Sequence, residues 1–354
     1  MKDKITVLIF IIYIMFFSIA HIVIKDKDIS ETERRHLANM PQVKLESEFF
    51  NDLDEYLLDQ FPFREGFRSV KAHFNFNILG KLDNNDIYLK DNYIFKTNYP
   101  TNKKSVNNFI NKTIKIKEML TKDNNVYMMI IPDKNYYLDS TNFLHIDYDY
   151  IYNEINKISV DNIDVRNILK LSDYYETDTH WKQERLDKII KKLSSNMGFE
   201  YQEFEYKKNT FNKFYGVYYG ESAVNRRPET LTYLTNDIID NAEVKYLEND
   251  KLRKVYNTDN LKSLDAYEVY LDGASAFIEI YNKENKTNKE LIIFRDSFGS
   301  SLTPLLIPYY SKITVIDNRY INSKNILKYI EFDNQDVLFL YSTLMLNNSF
   351  SLKG

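Results

Sequence analysis

The chain opens with an unbroken apolar run. "ITVLIFIIYIMFFSIAHIVI", residues 5–24, spans 20 positions and contains no Asp, Glu, Lys or Arg. At 1.5 Å per residue, a helix of this length can cross a hydrocarbon core of roughly 30 Å. The run is longer than that of a typical signal peptide, and no small-x-small cleavage site follows it. The pattern therefore predicts an uncleaved membrane anchor over residues 1–25.

The following segment changes from polar to amphipathic. Residues 26–45 are mostly polar and are predicted to be a juxtamembrane linker. Apolar residues at helical spacing then indicate two helices divided by Pro62, with Phe49, Leu53 and Leu57 in the first and Phe67, Val70 and Phe74 in the second. The alternating "DIYLKDNYIFK", residues 86–96, indicates a hairpin that turns at Asp91-Asn92.

The remaining pattern is typical of an α/β domain. We predict helices over 102–122, 148–157, 165–172 and 182–197, and a buried strand in the apolar run 125–132. Residues 200–275 hold several short strand candidates that we leave unassigned. From residue 291 onward, the pattern predicts a strand over 291–294, a helix over 298–307, a strand over 312–316, a helix over 321–331 and a strand over 336–342. This βαβαβ tail predicts a parallel sheet with right-handed crossovers. We expect residues 46–354 to form one domain.

Composition narrows the possible functions. A net charge of −4 and a pI near 5.9 give no basic field, so we predict no nucleic-acid partner. Cysteine is absent, which excludes disulfides, thiolate metal sites and a cysteine nucleophile. We predict neither a metal nor another cofactor.

Ser297 is the first candidate for chemistry. In "LIIFRDSFGSS", residues 291–301, it follows an apolar strand and precedes a predicted helix. A serine at this turn of a parallel sheet lies at the carboxyl edge, where ligands bind, and its N–H stands at a helix start. The alternative is that Ser297 only caps the helix, as serines often do.

A second candidate stretch is "YYETDTHWKQE", residues 174–184. In extended backbone, Asp178 and His180 would project to the same face. The carboxylate could then fix the imidazole tautomer while the other ring nitrogen accepts a serine proton. The alternative is a surface histidine beside a helix-capping Asp178 or Thr179. Together with Ser297, the dyad would complete a nucleophile, base and orienting group.

These motifs carry a family resemblance. "DTHW" and "RDSF", behind an N-terminal anchor and "ETERRHLANMP…DQFPFRE", resemble the DHHW-type proteins and their relatives, the SGNH-hydrolase-like alginate O-acetyltransferase proteins AlgJ and AlgX. The resemblance extends from about residue 31 to the C-terminus. It implies a three-layer α/β/α SGNH-like fold with a parallel sheet, and Asp178, His180 and Ser297 as the triad. Thr179 and Arg295 depart from the family pattern, in which His and Gly are usual, and leave the subfamily open.

Further residues are candidates for binding the substrate. The resemblance implies such a role for Arg319 in "IDNRY" and for the Gly/aromatic loop "FYGVYYG". Trp181 could stack on a sugar, with core packing as the alternative, and Lys134 follows the strand at 125–132. The tentative substrate-binding set is therefore Arg319, Trp181, Arg295, Gly216, Tyr218 and Lys134.

The resemblance implies an activity and a location. The expected reaction is O-acetylation of a cell-envelope or secreted polysaccharide through an acetyl-serine, with residues 25–354 facing outward. The expected partners are the polysaccharide acceptor and a multi-spanning membrane-bound O-acyltransferase that supplies the acetyl group. Two alternatives are a carbohydrate acetylesterase with the same triad and a catalytically silent polysaccharide-binding or assembly component.

Overall fold

The computed structural model of the protein describes residues 2–44, 46–247 and 249–353. Its α-helices are α1 (Lys2–Val23), α2 (Ser47–Asp59), α3 (Arg64–His73), α4 (Lys103–Lys117), α5 (Tyr148–Ile155), α6 (Asp187–Met197), α7 (Val217–Ser222), α8 (Asp237–Asp240), α9 (Phe298–Leu306), α10 (Ser323–Ile326) and α11 (Thr343–Asn347). Its strands are β1 (Ile29–Ser30), β2 (Arg35–His36), β3 (Asp83–Asn84), β4 (Ile87–Lys90), β5 (Tyr93–Lys96), β6 (Asn125–Ile131), β7 (Asp161–Asn162), β8 (Lys207–Phe214), β9 (Glu229–Thr235), β10 (Glu243–Tyr246), β11 (Asn249–Arg253), β12 (Phe277–Tyr281), β13 (Glu290–Arg295), β14 (Lys312–Ile316) and β15 (Asp336–Ser342).

The chain forms two compact units. The first comprises Met1–Asn85 with Tyr219–Arg226, and the second comprises Asp86–Tyr218 with Arg227–Gly354. The first unit contains α1, which has a mean hydropathy of 2.5 and no buried side chain. Within the described ranges, α1 is the one helix long and apolar enough to cross a membrane. Its length and composition suit a membrane anchor and equally a signal sequence.

The segment predicted as a polar linker is ordered in the first unit. β1 pairs with β2 in antiparallel fashion. Arg35 donates to the carboxylate of Asp59 at 2.7 Å. The carboxylate of Glu33 forms ion pairs with Arg64 at 2.6 Å and with Arg68 at 3.2 Å. The motif residues of "ETERRHLANMP" and "DQFPFRE" therefore form a network of ion pairs that joins the segment to α2 and α3.

The second unit is built around a large sheet. Among the described residues, this sheet has eight strands in the order β11-β10-β12-β14-β13-β15-β6-β7. The strands from β14 to β7 are parallel, whereas β12, β10 and β11 are antiparallel to their neighbours. The predicted parallel tail is confirmed, because β13, β14 and β15 coincide with the three predicted strands. The fold is thus a mixed α/β fold with a large, mostly parallel sheet.

Both faces of the central strands are buried. Leu291 and Ile293 of β13 join an apolar cluster that includes side chains of α6 and α9. Ile292 and Phe294 point the other way and join a cluster with α4, α5 and α11. A strand that is covered on both faces has a continuous apolar sequence, and for this reason the run "LIIF" predicted a buried parallel strand.

Two predicted helices differ in the structure. In place of the helix predicted over 165–172, residues 166–168 form a turn and Leu171–Asp173 form a 3₁₀ helix. The carboxylate of Asp173 accepts the N–H of Lys170 at 2.7 Å and caps the start of this 3₁₀ helix. Helix 321–331 shortens to α10, which Asn322 caps through its side chain. Beyond α10 the backbone continues in tighter turns, in which Lys328 and Tyr329 each donate to the carbonyl three residues back.

Candidate active site

Ser297 lies between the end of β13 and the start of α9. Its hydroxyl makes no capping hydrogen bond to α9. Instead, one carboxylate oxygen of Asp296 accepts the N–H of Phe298 at 3.0 Å, and the other accepts the hydroxyl of Ser342 at 2.6 Å. Asp296 therefore provides the side-chain cap that we considered as the alternative role of Ser297. The Ser297 hydroxyl is left to make other contacts.

The imidazole of His180 lies between Ser297 and Asp178. Its Nε2 is 2.8 Å from Ser297 Oγ, and its Nδ1 is 2.6 Å from Asp178 Oδ1. Asp178 and His180 are buried, whereas Ser297 is partly exposed. With the proton on Nδ1, Nε2 can accept the proton of the serine hydroxyl. The structure brings the three predicted residues together in this order, and their catalytic roles stay a prediction.

A turn, and not extended backbone, places Asp178 beside His180. Residues 176–180 form a series of bends. The backbone N–H of His180 donates to Asp178 Oδ1 at 2.9 Å, which is the side-chain to backbone bond of an Asx turn. Thus the predicted contact forms, but through a different backbone conformation from the one we expected.

The surroundings of Asp178 keep its carboxylate ionised. Burial alone would raise its pKa, but electrostatic attraction to the His180 ring and the hydrogen bonds from that ring and from the His180 backbone oppose this effect. The N–H of Val217 adds a further bond at 2.8 Å. These interactions together hold the pKa of Asp178 well below its usual range. The carboxylate therefore acts only as an acceptor, which fixes the proton of His180 on Nδ1.

Gly216 allows the chain to pass directly against Asp178. A Cβ at this position would lie 2.3 Å from the Cβ and the backbone N of Asp178 and 2.3 Å from the carbonyl carbon of Thr177. The N–H of Gly216 donates to Thr177 Oγ1 at 2.9 Å. The close approach explains the glycine of the "FYGVYYG" loop, and it places Gly216 in support of Asp178.

Replacing Gly216 by alanine should destabilise the protein and lower its activity. The added methyl group meets backbone atoms that cannot rotate away, so we expect a loss of about 1–3 kcal/mol in the free energy of unfolding. If Asp178 orients His180 as predicted, its displacement should lower the rate of p-nitrophenyl acetate hydrolysis at least ~10-fold. Gly66→Ala is the matched control, since a Cβ at Gly66 has no atom within 4 Å. Melting temperature and p-nitrophenyl acetate hydrolysis are the measurements, and wild-type values for both in Gly216→Ala would contradict the prediction.

Glu229 holds the residues that precede Asp178. Its carboxylate accepts the N–H groups of Glu176 and Thr177, both at 2.7 Å, and the hydroxyl of Thr177 at 2.6 Å. No sequence pattern indicates this role, because Glu229 lies in the unassigned region about fifty residues downstream. Its position shows that the Asp178 turn is fixed from both sides.

Tyr267 is a second site residue that the sequence analysis missed. Its ring stacks on the imidazole of His180, with 3.8 Å between the ring centroids and 7° between the planes. Its hydroxyl donates to Ser301 Oγ at 2.8 Å. The same oxygen accepts the indole N–H of Trp181 at 2.9 Å. Stacking on one face restricts rotation of the His180 ring.

The structure corrects the sugar-stacking prediction for Trp181. The indole is fully buried and packs edge-on against Phe298, 5.6 Å between centroids. Its N–H also donates to the carbonyl of Phe298 at 3.1 Å. The alternative of core packing is therefore the one observed, and Trp181 joins the Asp178 turn to the start of α9.

The two candidate arginines lie side by side around Asp317. Arg295 is 1% exposed, and its Nη1 is 3.7 Å from the carboxylate of Asp317. Burial lowers its pKa, although Asp317 opposes this effect. The structure thus corrects the substrate-binding prediction for Arg295, which a ligand cannot reach. Arg319 is partly exposed and binds Asp317 through Nε and Nη2, at 2.9 and 2.6 Å. Its predicted role toward substrate stays a prediction.

Lys134 and Tyr218 are also buried. Lys134 Nζ donates to the carbonyls of Ile94 at 2.7 Å, Tyr175 at 3.0 Å and Glu176 at 3.1 Å. The Tyr218 ring lies 5.1 Å from the same nitrogen. These contacts correct the substrate-binding predictions for Lys134 and Gly216, since both are buried and support the chain around Asp178. Tyr218 is about as exposed as His180, and its role toward substrate stays a prediction.

The stability of the wild-type protein relative to Lys134→Met should rise with pH. Burial lowers the pKa of Lys134 to about 7, although Asp178 and Glu229 oppose this effect. The unfolded lysine titrates near pH 10.4, so between these values the unfolded chain binds a proton that the folded chain has released. The free energy of unfolding should gain up to about 1.4 kcal/mol per pH unit in this window, and this gain should be absent from the variant. Denaturant unfolding of both proteins at several pH values tests this, and parallel pH curves would refute it.

Comparisons with known proteins give a match in structure but none in sequence. No protein-family model matches the chain, and none of the curated proteins matches it. Among solved structures, a DHHW family protein from Eubacterium siraeum is similar with a TM-score of 0.62 and 20% identity, covering 77% of this chain and 97% of that one.

Two other solved structures are similar over comparable shares of the chain. Bacillus cereus PatB1 with a sulfonyl adduct has a TM-score of 0.56 and 19% identity, covering 76% of this chain and 100% of its own. The O-acetyltransferase domain of Pseudomonas putida AlgJ is more distant, with a TM-score of 0.43, 12% identity and coverage of 74% and 92%. The resemblance that the motifs indicated is thus confirmed in the fold: this chain has the fold of a DHHW family protein.

Proposed function

We propose that this protein is a membrane-anchored, extracytoplasmic serine O-acetyltransferase with a three-layer SGNH-like domain over residues 46–354. The observation that carries the proposal is the continuous hydrogen-bonded row from Asp178 through His180 to Ser297. A buried orienting carboxylate, a base with one free ring nitrogen and a partly exposed hydroxyl are the parts that acyl transfer through serine requires.

The first half-reaction forms an acetyl-serine. Ser297 Oγ attacks the acetyl carbonyl of the donor while His180 Nε2 takes the hydroxyl proton. The oxyanion is stabilised by the N–H of Ser297 at the start of α9 and by a neighbouring loop N–H. The bond to the donor oxygen then breaks, and that oxygen takes the proton from His180. Asp178 keeps the ring oriented throughout.

The second half-reaction transfers the acetyl group. A hydroxyl of the polysaccharide gives its proton to His180 and attacks the acetyl carbonyl, and Ser297 leaves and recovers the proton. The rings of Tyr267 and Phe298 lie 3.8 and 5.0 Å from the imidazole by centroid and place apolar surface beside the base. Exclusion of water from the acetyl-enzyme would favour transfer to a sugar over hydrolysis.

The location and partners follow from α1 and from the family resemblance. Helix α1 would act as an uncleaved anchor, with residues 25–354 outside the cytoplasm, where cell-envelope and secreted polysaccharides are found. A multi-spanning membrane-bound O-acyltransferase would supply the acetyl group. The apolar run of α1 and the resemblance of the sequence motifs support this assignment.

To test the proposal, the full-length protein is incubated with p-nitrophenyl acetate and a panel of oligosaccharides of the kinds found in cell envelopes. We expect wild type to produce more acetylated oligosaccharide, detected by mass spectrometry, than Ser297→Ala produces. Free acetate without an acetylated acceptor would favour the esterase. Equal behaviour of wild type and Ser297→Ala, with and without a co-expressed membrane acyltransferase, would favour the silent binding component.

A further inference from the structure

An exposed apolar stripe runs along α3 and the π-helix Phe74–Ile78 that continues it. Its members recur at i, i+3, i+7 and i+11 and so share one helix face: Phe67, Val70, Phe74 and Ile78. All four are exposed, Val70 by 67% and Ile78 by 63%. The apolar face of such a helix normally packs on a core. A contiguous exposed patch of this kind marks an interaction surface.

The other side of α3 is already occupied within the first unit. Ala72 is fully buried. Arg68 binds Glu33 at 3.2 Å and Glu65 at 2.9 Å, and it donates to the carbonyl of Gly220 at 2.9 Å. Helix α3 is therefore fixed on its polar side, and rotation to bury the stripe would break these contacts.

The apolar surface beside α3 is continuous with α1. The ring of Phe17 in α1 lies 5.3 Å from that of Phe61 and 5.7 Å from that of Phe67. Phe17 is seven residues before Ile24, where the apolar run ends, and so lies about 10 Å inside the run. The rings of Phe61 and Phe67 thus stand beside a part of α1 that a membrane would surround.

We propose that the stripe formed by Phe67, Val70, Phe74 and Ile78 lies in the lipid interface beside α1. The inference rests on the membrane anchor of the proposed function. Side chains of Phe, Val and Ile carry no hydrogen-bonding tip. Helices that lie in a membrane interface combine an apolar face of residues such as Phe and Leu with a basic polar face. Interfacial helices place such residues roughly 5–10 Å into the boundary of headgroups and acyl chains. The depth of Phe17 in the apolar run agrees with that range.

The absence of cysteine from the sequence permits a direct test with the full-length chain. Single cysteines at Val70, Phe74, Ser69 and Ile11 would carry an environment-sensitive fluorophore in vesicles of phosphatidylcholine and phosphatidylglycerol. Ser69 is exposed and lies on the same helix away from the stripe, and Ile11 reports on the anchor. Lipids spin-labelled near the headgroup should quench Val70→Cys and Phe74→Cys about twofold or more relative to Ser69→Cys.

The outcomes separate this inference from the anchor on which it rests. Quenching at Ile11 together with Val70 and Phe74, but not at Ser69, supports the proposal. If the probe at Ile11 is quenched but the probes at Val70 and Phe74 are quenched no more than the probe at Ser69, the stripe does not contact lipid. This outcome overturns the proposal and leaves the anchor intact. Protection of Val70 and Phe74 only when another protein or a second copy is added also overturns it. If none of the four sites is quenched, both the anchor and the stripe are wrong.

Discussion

Replacing Ser297 by alanine should abolish acetyl-enzyme formation and lower turnover at least ~10³-fold, because no other group in the row Asp178–His180–Ser297 can form the ester. Wild-type protein treated with p-nitrophenyl acetate should gain one acetyl group, about 42 Da by intact mass, on Ser297. The variant should stay unmodified. The same contrast is expected with a sulfonyl fluoride, which attaches to activated serine hydroxyls.

The Ser297→Ala variant should remain folded. The hydroxyl does not cap α9, and its loss removes one hydrogen bond to His180, which costs about 0.5–1.5 kcal/mol. Ser300→Ala, a buried serine of the same helix, is the matched control and should keep both labelling and turnover. Acetylation that persists in Ser297→Ala at the wild-type rate would assign the nucleophile elsewhere. Wild type that stays unlabelled by both reagents would mean that the serine is not activated.

The sheet and its carboxyl edge could be predicted from the sequence because buried strands carry a strong local signal. The run "LIIF" is apolar on every residue, since β13 is covered on both faces, and the Ser297 turn follows it directly. The Asp-x-His spacing indicated Asp178 and His180, and the resemblance matched them to a family motif. These predictions needed only neighbouring residues or fixed spacing.

The supporting contacts of the site could not be predicted because they join residues far apart in the chain. Tyr267 reaches His180 across 87 positions, and Glu229 reaches Thr177 across 52. Both come from the region 200–275, whose short strands and 3₁₀ helices have no clear period. Such contacts depend on tertiary packing, which the local pattern does not encode.

Side-chain exposure was the other quantity that the sequence left open. Lys134 and Arg295 follow or end strands at the sheet edge, where charged residues commonly face ligands, yet both are buried among carbonyls and carboxylates. Conversely, Val70 and Phe74 have the spacing of a packed helix face and are exposed. Periodicity indicates which residues share a face, but it does not indicate what that face contacts.

Asp178→Asn should lower turnover roughly 10³- to 10⁴-fold while Ser297 and His180 remain in place. An amide nitrogen in the place of Oδ1 can donate to Nδ1 of His180, which would move the ring proton to Nε2 and break the bond from the backbone N–H of His180. The imidazole could then no longer accept the serine proton. Nitrogen-15 NMR of the labelled histidine ring should report this change of tautomer directly. Asp187→Asn, an exposed aspartate on α6, is the matched control and should show neither effect.

The same substitution should change the acid dependence of stability. Because the folded protein holds the pKa of Asp178 below its usual value, the ionised carboxylate stabilises the fold above the unfolded pKa of about 4. This contribution is lost as the pH falls further. The difference in free energy of unfolding between wild type and Asp178→Asn should therefore be constant near neutral pH and shrink below about pH 4. A difference that does not change with pH, or normal turnover of the variant, would show that Asp178 is not the charged orienting group of His180.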